Sequence, residues 1–146
     1  MGPPALRFSR DRAGIAAVEL ALVMPVLCAA LLGVVDGWSY VSSSLAMRAG
    51  VKTAANLVMA GGADDSATQA AALASWEHKP ADAAVTVNRI YQCGTTVVTS
   101  TTICSGPKAP SVFVQIQASG TWIPPFTFGP YPDNTAIGHL QVVRVR

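Results

Sequence analysis

The chain has 146 residues, of which 51% are hydrophobic and only 12% are charged, so it is more apolar than a typical soluble domain. This length has room for one small domain and an anchor. The net charge is +2 and the basic residues beyond residue 13 are scattered, so the composition gives no support for binding to nucleic acid.

The first predicted element is a membrane-spanning helix over 15–35. This stretch contains one charged residue, Glu19, and as a helix it would extend about 30 Å, the thickness of the hydrocarbon core of a bilayer. The preceding RFSRDR contains three arginines and one aspartate, and Trp38 and Tyr40 follow the span as residues suited to a membrane–water interface. The positive-inside rule therefore predicts a cytoplasmic N-terminus and an external remainder.

An ordinary secretory signal peptide is the alternative interpretation of this segment, because it too has a basic region followed by an apolar one. Two features argue against it. Glu19 would lie inside the apolar region, and the apolar run is longer than the usual 7–15 residues of a signal peptide.

Glu19 is the unusual residue of the span, because a carboxylate at the bilayer centre costs about 2.5–3.5 kcal/mol. It lies about 6 Å along the helix from Ile15, so its side chain can reach the cytoplasmic headgroups. One hypothesis is a glutamate that snorkels there without a function, and the other is a functional residue.

The order of residues around Glu19 resembles the class III signal of type IV pilin-like proteins. In such proteins a prepilin peptidase cuts after a glycine on the cytoplasmic side, and a glutamate is the fifth residue of the mature chain. The resemblance implies cleavage between Gly14 and Ile15. It also implies that Glu19 of one subunit pairs with the new α-amino group of Ile15 in the next subunit, which offsets two costly charges and fixes the helix register.

The stretch RDRAGIAAVELALVMPVLCAALLGVVDGWSY resembles the TadE-like family of the tight-adherence (Tad or Flp) pilus system. The shared features are arginines, a glycine, an Ala-Val-Glu step, a Leu-Val-x-Pro turn and an aspartate followed by aromatic residues. The resemblance continues weakly through SSSLAMRAGVKTAANLV. Leu20 departs from the tyrosine of the major Flp pilin, and the chain is longer than that pilin, which favours a minor pilin or pseudopilin.

The resemblance implies that the protein takes part in pilus assembly through helix packing. The implied partners are other pilins or pseudopilins, the Tad inner-membrane assembly platform and a prepilin peptidase, with no cofactor. The implied location is the bacterial inner membrane with a periplasmic C-terminal domain, and either the membrane or the pilus as the final location. Pro25 is interpreted as a family-typical kink in the helix.

The predicted organisation has four parts: a cytoplasmic basic leader (1–14), a transmembrane helix (15–35), its helical extension (36–60) and an extracytoplasmic domain (61–146). Gly61-Gly62 is predicted to end the long helix. Asp64, Asp65 and Ser66 offer an N-cap for a second helix, which we expect to run to Lys79 before Pro80.

Four segments beyond Pro80 are rich in β-branched residues or alternate apolar and polar residues, and we predict them to be strands: 84–92, 95–103, 111–119 and 136–146. The expected fold is α+β and pilin-like, with a short helix and a 3–4-stranded antiparallel sheet. Between the last two strands, TWIPPFTFGPYPD is predicted to be a stiff aromatic loop. Its rings either present a patch to a partner or cover the sheet as a lid, and burial of apolar rings favours the lid.

Cys93 and Cys104 are predicted to form a disulfide, because the orientation places them in a compartment that permits one. The bridge would add about 3 kcal/mol by loop entropy. Metal binding is the weaker alternative, because no histidine pattern lies near the two cysteines.

The sequence predicts no catalytic or metal-binding residues. His78 and His139 show no metal-ligand spacing, and neither a G-x-S-x-G motif nor a P-loop is present. The alternative to a pilus protein is a membrane-tethered periplasmic binding domain. Such a domain would keep the Gly14–Ile15 bond intact and leave Glu19 without a role.

Overall fold

A computed structural model of the protein describes residues 12–126 and 131–145. The elements in chain order are α1 (Arg12–Met59), α2 (Asp65–Ala74), β1 (Ala84–Cys93), β2 (Thr96–Val98), β3 (Ser111–Trp122) and β4 (Thr135–Arg144). The predicted α+β fold, with a long apolar N-terminal helix, a short helix and an antiparallel sheet, is confirmed. Residues 1–11 of the predicted leader and 127–130 of the predicted aromatic loop lie outside the described residues.

Helix α1 is continuous over 48 residues and has Pro25 in its interior. It ends where the glycine pair predicted, since Gly61 N–H donates to Val58 O (3.1 Å) and Gly62 N–H donates to Leu57 O (3.0 Å). Gly61 has a φ of 98°, a left-handed conformation that glycine adopts without a steric penalty. These bonds satisfy carbonyl groups that the end of a helix otherwise leaves unpaired.

The outer half of α1 is part of the domain core. One side of it is fully buried at helical spacing: Met47, Val51, Ala54, Ala55 and Val58. Gly50 lies on the same side, where an added Cβ would lie only 2.7 Å from the carbonyl oxygen of Ala72 in α2. A residue without a side chain therefore lets the two helices approach closely at this position.

Helix α2 begins with Asp64 as its N-cap, whose carboxylate accepts a hydrogen bond from Ser66 N–H (2.9 Å). The prediction that this helix runs to Lys79 is wrong, because it ends at Ala74. The chain turns there and buries Trp76, which is only 2% exposed, against the other elements of the domain. His78 has a φ of 51°, which does not fit a continuing helix.

The four strands form one antiparallel sheet in the order β2-β1-β3-β4. Both helices contact one face of the sheet, where Val114, Ile116 and Ala118 of β3 are fully buried. The alternation predicted for this strand is thereby confirmed. Leu140 and Val142 of β4 lie on the opposite face and are about half exposed.

The predicted strand over 95–103 is mostly wrong, since only Thr96–Val98 pairs with β1. Beyond Val98 the chain turns, with Thr102 N–H donating to Thr99 O at 3.1 Å. The Thr99 hydroxyl also contacts the hydroxyl of Thr102 at 2.9 Å. Threonine hydroxyl groups thus stabilise a local turn in place of a longer sheet ladder.

Candidate functional site

The N-terminal half of α1 is uncovered by the rest of the domain. Every residue from Gly14 to Leu31 is exposed, and the helix is long and apolar enough to cross a membrane, with a mean hydropathy of 2.5 in its most apolar window. An uncovered apolar surface of this size is unfavourable in water, and a bilayer removes that cost. Among the described residues this is one N-terminal apolar helix, which fits a single-pass membrane protein.

The predicted processing and assembly residues all lie on this exposed half. Ile15 is 64% exposed, and an added Cβ at Gly14 would meet nothing within 4 Å. Glu19 is exposed, and within the described part of the chain it has no hydrogen-bond or ion-pair partner. It lies four residues after Ile15, so the two residues share one side of the helix. Cys28 lies further along as an exposed free cysteine.

Asp36 is the first fully buried residue along α1, at 0% exposure. Its Oδ1 accepts a hydrogen bond from the backbone N–H of Phe126, at 3.1 Å. Its Oδ2 is buried and has no hydrogen-bond partner among the described residues. A carboxyl group at the end of the apolar run thus holds a loop that lies 90 residues away in the sequence.

Aromatic side chains surround this contact. Trp122 Nε1–H donates to Ser39 Oγ at 3.3 Å, and the Trp122 ring makes edge-to-face contacts with Tyr40 (5.3 Å between centroids) and Tyr131 (6.0 Å). Gly37 makes room for this packing, because an added Cβ would lie 3.0 Å from the hydroxyl of Tyr131. The described part of the aromatic loop therefore packs on α1, whereas the lid hypothesis placed it on the sheet.

In the sequence, Asp36 stands out only as the aspartate that follows the apolar run and precedes aromatic residues. The signal available was a lone acidic residue directly after an apolar run, followed by a glycine and an aromatic residue. Nothing in the sequence pattern indicates that Phe126 is the partner of Asp36, because only the tertiary fold brings these residues together.

The predicted disulfide is present between Cys93 and Cys104, with 5.5 Å between their Cα atoms. It connects the end of β1 to a short bridge in which Cys104 N–H donates to Lys108 O at 2.9 Å. The segment between the two cysteines contains β2 and the threonine turn, so the bridge closes a small hairpin unit. This hairpin unit is part of the sheet domain, and the disulfide stabilises its fold.

Comparison with known families gives one result. The family model of TadE-like proteins matches residues 14–56, which comprise the exposed half of α1, Asp36 and most of the helix within the core. The N-terminal segment is that of a TadE-like protein. No curated protein and no solved structure matches the chain. This similarity covers most of α1 and none of the sheet, and it is the feature that relates the protein to Tad pili.

A groove of about 880 Å³ opens beside the TadE-like helix, just beyond the end of the apolar run. Its floor and walls come from α1, from the turn after α2 and from the end of β3, and include Ser42, Glu77, His78, Asp82 and Trp122. Asp82 is already engaged, since its Oδ1 accepts from Thr121 N–H at 3.1 Å. Hydrogen bonds from the Thr121 side chain and from its backbone N–H lower the pKa of Asp82 below its usual value.

Two other acidic groups of the protein hold α2 in place. Hydrogen bonds from Ser66 lower the pKa of Asp64, the N-cap. Asp65 pairs with Arg89 of β1, with 2.7 Å between Oδ1 and Nη2, and this hydrogen-bonded contact raises the pKa of Arg89. Asp65 thus connects α2 to the sheet, whereas Asp64 caps the helix.

Histidine, cysteine and acidic side chains do not cluster in a way that suits a metal ion within 12–126 and 131–145. His78 is exposed in the turn after α2, and His139 lies on β4. The acidic groups with the most distinctive environments among the described residues are therefore Glu19, exposed on an apolar helix, and Asp36, buried beyond its apolar run.

Proposed function

We propose that the protein is a TadE-like pseudopilin that takes part in assembly of a Tad-type pilus by packing α1 against the helices of other pilins or pseudopilins. The observation that carries this proposal is the uncovered TadE-like half of α1, which displays Glu19 on an apolar surface, with no side-chain partner among the described residues. A helix of this kind can bury its apolar surface against neighbouring helices as well as lipid. The Tad inner-membrane platform would then act on the helix from the membrane.

The proposed orientation places the N-terminus in the cytoplasm and the sheet domain in the periplasm, following the positive-inside rule. The parts retain their predicted limits: leader 1–14, span 15–35, extension 36–60 and domain 61–146. A prepilin peptidase would cut between Gly14 and Ile15. Apart from its own helix backbone, no described residue lies within 4 Å of a Cβ added at Gly14, which supports access of another protein to this bond.

Cleavage would create an α-amino group on Ile15 at the start of the mature helix. Glu19 of a neighbouring subunit supplies the opposite charge, and an ion pair within packed helices satisfies two groups that are each costly to bury alone. Removing one partner from a buried pair costs about 3–5 kcal/mol. Glu19 would therefore fix the axial position at which one helix docks against the next.

The decisive variant is Glu19→Gln, compared with Leu20→Gln as a matched control. The control adds the same amide to the adjacent exposed position and keeps the carboxylate. We expect Glu19→Gln to insert and to be processed normally, but to reach assembled pili at least about tenfold less than the control, because it leaves the partner amine unpaired. Normal incorporation of Glu19→Gln would refute the role of Glu19.

Intact mass of the membrane-extracted protein tests processing separately. A start at Ile15 supports the pseudopilin, and Gly14→Val, which the open site accommodates, should abolish that start. A start at Met1 or Gly2 in cells with an active prepilin peptidase supports the tethered binding domain instead. Loss of the whole apolar run would indicate a secretory signal peptide.

A further inference from the structure

The domain begins to cover α1 before the apolar run ends. Leu32 and Gly33 are half-buried and Asp36 is fully buried, whereas Val34 and Val35 on the other side of the helix remain 68% and 48% exposed. At 1.5 Å per residue, Leu32 lies about 4–5 Å before Val35 along the helix axis. The near end of the domain therefore reaches the level at which the span ends.

Residues 122–126, which start at the last residue of β3, form this near end. They are held at Asp36 by the Phe126 N–H and at Ser39 by the Trp122 indole, so their height along α1 is fixed by two hydrogen bonds. These two helix positions lie within about 6 Å of Val35 along the axis. The described start of the aromatic loop is thus attached to α1 just beyond the end of the apolar run.

Exposed apolar side chains occur at this same level. We name four of them the membrane-proximal patch: Trp38, Ile123, Pro125 and Tyr131. Trp38 is 74% exposed, Ile123 is 64% exposed and Tyr131 is 39% exposed. The sequence from Thr121 to Pro132 contains no charged residue, although it belongs to the domain and follows a strand.

We propose that the membrane-proximal patch lies in the lipid headgroup layer and makes a second, loop-based contact between the domain and the bilayer. The patch is continuous with the span through α1, and its tryptophan and tyrosine are the residue types enriched at membrane–water interfaces. An uncovered isoleucine next to an exposed tryptophan gains more from that layer than from water. A lipid surface accordingly accounts for the height, the composition and the exposure of the patch.

This contact limits the orientations that the domain can adopt relative to the bilayer. Membrane helices tilt by about 20° on average, and a single helix leaves rotation about its own axis free. Because the patch lies on one side of α1, it favours the tilt and the rotation of the helix that bring this side of the domain against the lipid. The proposal depends on the single-pass helix and is independent of the pseudopilin role.

Depth-dependent quenching in vesicles of phosphatidylethanolamine and phosphatidylglycerol tests the proposal on the full chain. Single cysteines replace Ile123, Val35 or Leu140 in a Cys28→Ser background, and each is labelled with an environment-sensitive NBD probe. Cys93 and Cys104 remain in their disulfide. Val35→Cys gives the reference for the end of the span, and Leu140→Cys, 53% exposed on the far face of the sheet, gives the reference for water.

We expect a headgroup-attached nitroxide to quench the probe at Ile123 at least about twofold more than the probe at Leu140, and about as much as the probe at Val35. Quenching at Ile123 no greater than at Leu140 would overturn the proposal. A blue-shifted emission at Ile123 without nitroxide quenching would also overturn it, since it would indicate cover by protein. The same spectra would be unaffected by Glu19→Gln, so the two proposals fail separately.

Discussion

Asp36→Ala tests whether the buried carboxyl group holds the aromatic loop on α1. The substitution removes the acceptor for Phe126 N–H, a 3.1 Å bond to a side chain with 0% exposure. A buried donor that loses its partner costs about 1–3 kcal/mol, so we expect the free energy of unfolding to fall by about 2 kcal/mol. Relief at Oδ2, which is buried and has no hydrogen-bond partner among the described residues, limits the loss.

Asp36→Asn separates the hydrogen bond from the carboxyl group as a whole. An amide oxygen can replace Oδ1 as the acceptor, and the amide nitrogen takes the position of an atom that already lacks a partner. We expect a loss below about 1 kcal/mol. Asp82→Ala is the matched exposed control, since Asp82 also accepts a backbone N–H at 3.1 Å but is exposed to water, and it should shift stability less than Asp36→Ala.

The measurement is guanidinium unfolding of the full chain in micelles, followed by the emission of the buried Trp76 and Trp122. Amide hydrogen exchange at Phe126 gives a local readout and should accelerate in Asp36→Ala only. If the free energy of unfolding falls equally in Asp36→Ala and Asp36→Asn, the oxygen that accepts from Phe126 N–H is not the source of the stabilisation. No loss in Asp36→Ala would refute the contact itself.

Two further predictions concern the domain. Replacing both Cys93 and Cys104 with serine should lower the free energy of unfolding by about 3 kcal/mol, because the bridge closes a loop of sequence separation 11; an unchanged unfolding midpoint under oxidising conditions would contradict this. Asp64 and Asp82 have folded-state pKa values below their unfolded values, so their contribution to stability is complete above about pH 4 and is lost as the pH falls through the folded-state values. Titration of the unfolding midpoint should show a shallower acid dependence in an Asp64→Asn/Asp82→Asn double variant, and an unchanged dependence would contradict the assignment.

The elements that local chemistry determines could be predicted from the sequence. Gly61-Gly62 ends α1 because a left-handed residue is needed there, and Asp64 caps α2 because its carboxylate satisfies a free N–H. The apolar alternation of β3 likewise indicated its buried face. In each case a short window of sequence contains the residues that interact.

Predictions failed where tertiary contacts or local side-chain hydrogen bonds compete with backbone propensity. The residues after Ala74 have helical composition, but burial of Trp76 against α1 and β3 turns the chain away. The threonines after Val98 favour a strand by type, but they bond to one another in a turn. For the candidate site, the exposed half of α1 and its glutamate were evident in the sequence, whereas Asp36 was not, because Phe126 is its partner only in the folded chain.

The continuity of α1 has a mechanical consequence. Helix α1 is about 72 Å long. Its N-terminal part is the apolar span and its C-terminal part lies in the centre of the domain core, with no linker between the two parts. A push, pull or twist delivered to the helix within the bilayer would act on the same helix that contributes Met47, Val51 and Val58 to the domain core. Machinery that acts only inside the membrane can therefore move the outer domain without contacting it.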